Sequence, residues 1–229
     1  PGFVNAHTHL PMTLMRGYGG GCDLHTWLNQ YIFPAEARLD SRAVAAGAGL
    51  GLAEMIASGV TCVADMYMHT GTIAEQILEA GISANLSCGG VYFGAPEDFS
   101  PETCGDCRNQ AALTEEWHGA GAGQILVDAS VHGEYTSNPP LWRWMAEYAA
   151  EHRLGMHVHV SETQSEHQAS LERWGKTPIQ ALDGCGVWDC GRSLAAHCVY
   201  TTEEDWALMA EKGISCVHNP WSNLKLGSG

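Results

Sequence analysis

The stretch PGFVNAHTHL, residues 1–10, is a short apolar run that ends in two histidines separated by one residue. Side chains alternate between the two faces of a strand, so His7 and His9 project to the same side, roughly 6–7 Å apart along the backbone. Imidazoles at that spacing can bind one metal ion. A single histidine in a strand is more often a core residue with its hydrogen bonds satisfied, so this pair alone is weak evidence for a metal site. Whether it binds metal depends on which residues the other strands contribute.

Further apolar runs of the same kind alternate with segments of helical periodicity. Strands are predicted at Phe3–His7, Val60–Met66, Ile82–Cys88, Ile125–Val131, Gly155–Val160, Ser193–Val199 and Ile214–Val217. Helices are predicted at Ser41–Ser58, Thr72–Ala80, Pro140–His152, Glu166–Asp183 and Thr202–Lys212. Near-continuous apolar strands are typical of a parallel sheet covered by helices. We therefore predict an α/β fold, with seven of the eight strands of a (β/α)8 TIM-type barrel. A doubly wound open sheet is the alternative, although no GxGxxG turn follows a strand.

Length and charge limit the classes of protein to consider. The 229 residues predict one domain, 1–229, and 11 basic against 26 acidic residues give a net charge of -15. This charge disfavours nucleic acid and anionic membranes as partners and favours a soluble protein, but it does not identify the small-molecule substrate that we expect from the motifs below. No run approaches the ~20 apolar residues that span a bilayer, so we expect a cytoplasmic protein. Its nine cysteines are scattered, and we expect them to be reduced.

Histidines recur where the predicted strands end. His132 follows the fourth strand, His157 and His159 lie in the fifth, and His197 lies in the sixth. The carboxyl ends of all strands in a barrel meet at one face, so these side chains are expected to converge with the histidines of the first strand. The pattern predicts a metal centre that includes His159. His157 points inward one layer deeper, and we interpret it as a structural residue or a support for the ligands.

An acidic residue follows the fifth strand at a distance that suits catalysis. Glu162 comes three residues after His159, on the loop beyond the strand, so its carboxylate can reach over whatever His159 binds. This position suits proton transfer beside a metal-activated water. The alternative is an acid that caps the first turn of the following helix.

Six stretches together resemble the amidohydrolase superfamily. Within it, the chain is similar to the branch of adenosine-type (5'-methylthioadenosine/S-adenosylhomocysteine) deaminases and s-triazine chlorohydrolases. The matching stretches are PGFVNAHTHLPMTLMRGYG at 1–19, WLNQYIFPAEARL at 27–39, VHGEYTS at 131–137, HVHVSET at 157–163, AHCVY at 196–200 and HNPWSNLKLGSG at 218–229.

The resemblance implies a barrel with one divalent metal ion, zinc most of all and iron as the alternative. It implies that His7, His9 and His159 are metal ligands. By the same motifs, Glu162 matches the catalytic acid/base, and His197 matches the residue that steers the activated water or the leaving group.

The resemblance also implies substrate contacts. His132 matches a substrate-binding position, and Glu36 resembles the acid that engages the ribose hydroxyls in nucleoside deaminases. Trp27, with the glycine-rich segment 17–21, is interpreted as a lid over the site, and an ordinary surface loop is the alternative.

One expected ligand has no counterpart. The family's remaining metal ligand is an aspartate at the end of the eighth strand, and neither Asp65 nor Asp205 matches it. The flanking segments that form a small β-sandwich in the family are not found either. We therefore expect a fragment of a larger enzyme or a truncated variant with an incomplete site.

Three functions remain open at this point. The leading hypothesis is a hydrolytic deaminase of an adenosine-type nucleoside or related aminated heterocycle. The first alternative is a triazine-type chlorohydrolase or a hydrolase of cyclic amides or other C–N bonds on the same scaffold. The second is an inactive, truncated metal-binding fragment. The substrate, the metal and the oligomeric state, a homo-oligomer included, are not determined by these motifs.

Overall fold

The computed structural model describes residues 1–228 of the chain. The strands are β1 Phe3–Thr8, β2 Val60–Met66, β3 Ser83–Ser87, β4 Ile125–Val127, β5 Ala129–Gly133, β6 Met156–Val160, β7 Ser193–His197 and β8 Ile214–Val217. The α-helices are α1 Leu24–Thr26, α2 Phe33–Glu36, α3 Ser41–Ala57, α4 Thr70–Ala80, α5 Gly105–Trp117, α6 Ala120–Gly123, α7 Pro139–His152, α8 Gln164–Trp174, α9 Pro178–Asp183, α10 Glu203–Lys212 and α11 Pro220–Leu226. Short 3-10 turns lie at Leu10–Met15, Pro96–Asp98 and Glu134–Thr136, and a π-helical turn lies at Trp27–Ile32.

Every strand pairing is parallel, in the orders β1-β2-β3-β4 and β5-β6-β7-β8. Helices separate most successive strands, which is the right-handed β-α-β pattern of a barrel wall. Within residues 1–228, β1 pairs with β2 alone and β8 with β7 alone. The predicted α/β class and barrel architecture are therefore confirmed.

The predicted fourth strand is divided at Asp128 into β4 and β5. The backbone N–H of Asp128 still donates to Leu86 O at 2.9 Å, and His132 N–H donates to Gly90 O at 2.9 Å, so both halves keep the same neighbour. β4 and β5 therefore occupy one position in the wall, which makes seven positions in total.

A buried carboxylate lies at the break between β4 and β5. The Asp128 carboxylate is buried, and it accepts bonds from Gly155 N–H at 2.9 Å and from the side chains of Arg192 and Asn85. These bonds satisfy the buried acid at the position where the strand is interrupted.

The predicted helix Glu166–Asp183 is in fact two helices, α8 and α9. Gly175 ends α8 in the left-handed region, with φ 64°, where a side chain would be strained. Thr177 then caps α9, and Pro178 takes its first position. The Gly-Lys-Thr-Pro sequence at 175–178 carries both signals.

Two apolar cores hold the wall to its helices. One lies between β2, β3 and the helices α3 and α4, and the other between β5, β6, β7 and the helices α7 and α9. Trp142 and Trp188 are fully buried in the second core, and each indole N–H donates a hydrogen bond, to Ser137 Oγ and to Ile179 O. Among residues 1–228, none of the helices combines the length and the apolar character that a membrane crossing requires.

Candidate active site

Three histidines from two strands meet at the carboxyl end of the wall. His7 lies on β1, His9 directly follows that strand and His159 lies on β6, and one ring nitrogen of each lies within 4.8 Å of the others. The Nε2 atoms of His9 and His159 are 3.1 Å apart. The predicted ligands are thus brought together from positions 150 residues apart in the chain.

Backbone carbonyls set the proton positions of two of these rings. His9 Nδ1 lies 2.5 Å from Met66 O, and His159 Nδ1 lies 2.7 Å from His132 O. A carbonyl oxygen only accepts, so both Nδ1 atoms carry the proton and both Nε2 atoms present a free lone pair. Burial, followed by repulsion from the neighbouring histidines, holds the pKa of His159 well below its usual range, so the ring is neutral.

This donor set fits a divalent metal ion. Neutral imidazole nitrogens suit zinc or iron, and metal-bound histidines commonly donate their other N–H to a carbonyl, as His9 and His159 do here. Two lone pairs that face each other at 3.1 Å have no proton between them, which leaves a cation as the natural partner. Within residues 1–228 the cluster contains no carboxylate.

Glu162 is turned into the same cavity by a strained residue before it. Ser161 lies in the left-handed region with φ 54°, which is uncommon for a side chain other than glycine. The N–H groups of Ser161 and Glu162 both donate to the Glu166 carboxylate at 2.7 Å. Thr163, not Glu162, caps α8, and Glu166 completes the capping box. The alternative role of Glu162 as a helix cap is therefore not observed.

The environment of Glu162 keeps its carboxyl group protonated. The residue is 3% exposed. Burial, followed by repulsion from Glu166, raises the pKa of Glu162 to about 8. At neutral pH this carboxyl group can therefore donate a proton.

His197 faces Glu162 across the site. The backbone of His197 has φ 80°, and its Nε2 lies 3.6 Å from Glu162 Oε2. Its Nδ1 lies 2.9 Å from Asn223 Oδ1, an oxygen that accepts the Nδ1 proton and leaves Nε2 bare. Burial lowers the pKa of His197 to about 4.

The predicted substrate residues line the cavity that opens onto the histidines. The cavity has a volume of about 450 Å³, and His132, Glu36 and Trp27 lie in its wall with His9, His159 and Glu162. Burial raises the pKa of Glu36, and burial lowers the pKa of His132 to about 4. The remaining wall is mainly apolar, with residues such as Met12, Leu24, Leu28, Phe33, Met66, Met68, Val91, Phe93 and Leu226.

Trp27 lies in the π-helical turn rather than on a loose loop. Its indole N–H donates to Tyr18 O at 3.0 Å, and Lys225 Nζ lies 4.8 Å from its ring centroid. The glycine-rich segment 17–21 is thereby tied to the wall of the cavity.

Sequence reasoning missed two supporting residues, Glu166 and Asn223. Glu166 had a readable signal, because Thr163 and Glu166 have the spacing of a capping box. Asn223 lies in a stretch already quoted for the resemblance, but nothing in the sequence pairs it with His197, which is 26 residues away.

The comparison with family models matches residues 1–229 to the amidohydrolase family. The chain belongs to the amidohydrolase family. The resemblance found in the sequence is thereby confirmed, and the parallel barrel wall is the scaffold on which this amidohydrolase holds its histidines.

Relatives of this amidohydrolase are deaminases. It is 40% identical over 229 residues to the 5-methylthioadenosine/S-adenosylhomocysteine deaminase of Halothermothrix orenii, covering 100% of this chain and 51% of that protein. It is also 40% identical over 229 residues to the 5'-deoxyadenosine deaminase of Methanothermobacter thermautotrophicus, covering 100% and 52%. The chain spans about half the length of the curated relatives it matches.

A solved structure shares the fold. The adenosine deaminase from Xanthomonas campestris, crystallised with bound zinc, superimposes with a TM-score of 0.89 at 32% identity, covering 100% of this chain and 51% of that one.

Proposed function

We propose that this amidohydrolase is a metal-dependent deaminase that removes the amino group of an adenosine-type nucleoside by hydrolysis of its C–N bond. The observation that carries the proposal is the meeting of three neutral histidines at the base of a cavity lined by a buried, protonated glutamic acid. The deaminase relatives at 40% identity support the substrate class.

His7, His9 and His159 would hold one divalent cation. Their nitrogen donors and the zinc in the Xanthomonas campestris neighbour favour zinc, and iron is the alternative. A cation bound here lowers the pKa of a water molecule toward neutral and so supplies the nucleophile. The rest of the chemistry depends on side chains of this chain.

Glu162 is proposed as the proton donor. With a pKa of about 8 it carries a proton at neutral pH, which it would give to the ring nitrogen next to the carbon that is attacked. The attacking water would then give one proton to the Glu162 carboxylate, which would pass it to the amino group as it leaves as ammonia, and the second proton of the water would return to Glu162 as the carbonyl forms.

His197 is proposed to orient the attacking water. Its Nδ1 is held by Asn223, so its bare Nε2 accepts a hydrogen bond from an O–H group at the place where Glu162 acts. The neutral ring is suited to this because the pKa of His197 is about 4.

Glu36, His132 and Trp27 are proposed to bind the nucleoside. The carboxylate of Glu36 would accept bonds from ribose hydroxyls, and Trp27 would cover the bound sugar. A triazine has no ribose, so the acid Glu36 in a mainly apolar wall favours the nucleoside over the chlorohydrolase alternative.

The test is Glu162→Gln in the full-length, zinc-loaded protein. The amide keeps the shape but not the titratable proton, so ammonia release from adenosine and 5'-methylthioadenosine should fall roughly 10²–10⁴-fold while the zinc content is unchanged. Glu172→Gln, on the exposed side of α8, is the matched control and should retain full turnover.

Unchanged turnover of Glu162→Gln would remove Glu162 from the mechanism. Chloride release from a chlorotriazine, without ammonia release from nucleosides, would instead favour the chlorohydrolase. Full-length protein that binds zinc but turns over neither substrate would support the inactive metal-binding alternative.

A further inference from the structure

A fourth histidine, His157, lies directly behind the cluster formed by His7, His9 and His159. His157 is fully buried on β6, two residues before His159, and its Nε2 lies 2.8 Å from Nδ1 of His7. Its other nitrogen, Nδ1, lies 3.3 Å from Ser87 Oγ on β3. Ser87 Oγ in turn lies 3.2 Å from the backbone oxygen of Asp65 on β2. One hydrogen-bonded chain therefore runs from a backbone carbonyl to His7.

The carbonyl group at the start of this series of hydrogen bonds determines which group donates and which accepts at each step. Asp65 O only accepts, so the Ser87 hydroxyl donates to it and its lone pair accepts Nδ1–H of His157. A neutral imidazole with its proton on Nδ1 has a bare Nε2, which accepts Nδ1–H of His7. The Nε2 lone pair of His7 is then free to bind a cation.

The opposite direction would block the site. If the Ser87 hydroxyl donated to His157 instead, the His157 proton would lie on Nε2 and would donate to His7 Nδ1. The remaining proton of His7 would then sit on Nε2 and occupy the lone pair that a metal ion needs.

His7 differs in this respect from the other two ligands. His9 and His159 donate directly to backbone carbonyls, which have no proton to give, so their tautomers cannot reverse. His7 depends on a side chain that can hold its proton on either nitrogen.

We infer that His157 is a positioning residue that sets the tautomer of the metal ligand His7, with Ser87 holding His157 in the required form. The inference rests on the proposed metal centre but not on the identity of the substrate. Partners of this kind raise the affinity of histidine ligands, and their loss commonly costs 10–100-fold in metal binding.

The test is the zinc affinity of the full-length protein, measured by competition with a chelator. His157→Leu removes the acceptor for His7, so zinc affinity should fall about 10–100-fold. His157→Gln is the conservative variant, because its amide oxygen can accept from His7 and its amide N–H can donate to Ser87; it should recover most of the affinity. His118→Leu removes a histidine outside the site, one that accepts Val127 N–H at 3.1 Å, and should leave zinc affinity unchanged.

Two further measurements address variants that fold poorly. Ser87→Ala should weaken zinc binding less than His157→Leu does. The double variant Ser87→Ala/His157→Leu should bind zinc no more weakly than His157→Leu alone, because Ser87 acts through His157. In the zinc-loaded wild-type protein, ¹⁵N NMR of the histidine rings should find the proton of both His7 and His157 on Nδ1.

Three results would overturn the inference: a folded His157→Leu protein with wild-type zinc affinity, equal losses for the Leu and Gln variants, or a proton on Nε2 of His157. A wild-type protein that binds no zinc would overturn the proposed metal centre itself. Zinc binding without ammonia release would overturn only the proposed reaction.

Discussion

Burial decides the charge of the individual residues around the site. It raises the pKa of Asp65 to about 7, of Glu166 to about 7 and of Glu162 to about 8. It lowers the pKa of His157 to about 3 and of His197 to about 4. Desolvation penalises the charged form of acids and bases alike, so at neutral pH the two histidines are neutral and the three acids hold their protons more tightly than in the unfolded chain.

Asp65 has one hydrogen bond to its buried carboxyl group among the described residues. Its Oδ1 accepts Leu10 N–H at 2.6 Å, the residue is fully buried, and its Oδ2 has no hydrogen-bond partner among the described residues. The folded-state pKa lies above the ordinary value of 3.8, so the folded state holds its proton more tightly than the unfolded chain. The stability that this proton contributes is fully present below pH 3.8 and is lost as pH rises to about 7.

We therefore predict that Asp65→Asn changes the pH dependence of stability. Asparagine keeps an oxygen for Leu10 N–H but does not ionise, so the free energy of unfolding of the variant, relative to wild type, should increase by about 2–4 kcal/mol from pH 4 to pH 8. Urea unfolding of both proteins across this range measures it. A difference that stays constant with pH would show that Asp65 does not titrate in this window.

At the scale of elements, α3 holds the segment that follows His9. A Cβ on Gly47 would lie 2.5 Å from Pro11 O, and the Thr13 hydroxyl donates to Gly47 O at 2.7 Å. The backbone of α3 therefore touches the 3-10 turn Leu10–Met15 directly, and the absence of a side chain at Gly47 is a condition of that contact.

Gly47→Ala and Gly49→Ala should have opposite effects. An alanine at 47 has to push the 3-10 turn away, which should cost about 1–3 kcal/mol of stability and weaken zinc binding through His9. A Cβ on Gly49 meets only Gln76 Oε1, at 3.4 Å, so alanine there should stabilise the helix by about 0.5–1 kcal/mol. Chemical unfolding and chelator competition measure both effects, and equal behaviour of the two variants would contradict the close contact.

At the scale of the whole molecule, the histidine cluster brings together two halves of the wall. His7 lies on β1, at one edge of the first group of strands, His9 directly follows that strand, and His159 lies on β6 in the second group. The two groups of strands are otherwise connected through Asp128 and the backbone hydrogen bonds on either side of it. A cation would therefore connect strands that do not pair with each other.

Removing the metal should lower the thermal stability of the full-length protein. Free zinc at 100–1,000 times its Kd contributes about 2.7–4.1 kcal/mol to the folded state, so a strong chelator should lower Tm by several degrees, and added zinc should restore it. In His9→Ala the chelator should have little effect, while His118→Ala should respond like wild type. Calorimetry measures the shift, and a chelator effect of equal size in His9→Ala would place the stabilising ion elsewhere.

The sequence alone predicted much of this arrangement. Near-continuous apolar strands indicated a parallel wall, and strand polarity placed His7, His9 and His159 at one face, where the structure brings them together. These features follow from local periodicity. The break of the fourth strand at Asp128 was not predicted, and the contact of this acid with Arg192, 64 residues away, gives no local signal in the sequence.

The sequence by itself determined the class of fold, the strands that carry histidines and the placement of Glu162 just beyond one of them. Only the tertiary structure decided which nitrogen of each ring is free, because the partners that hold the other nitrogen come from segments 57 and 27 residues away for His9 and His159. It also decided the protonated state of Glu162, since burial is a property of the folded chain and cannot be read from neighbours in the sequence.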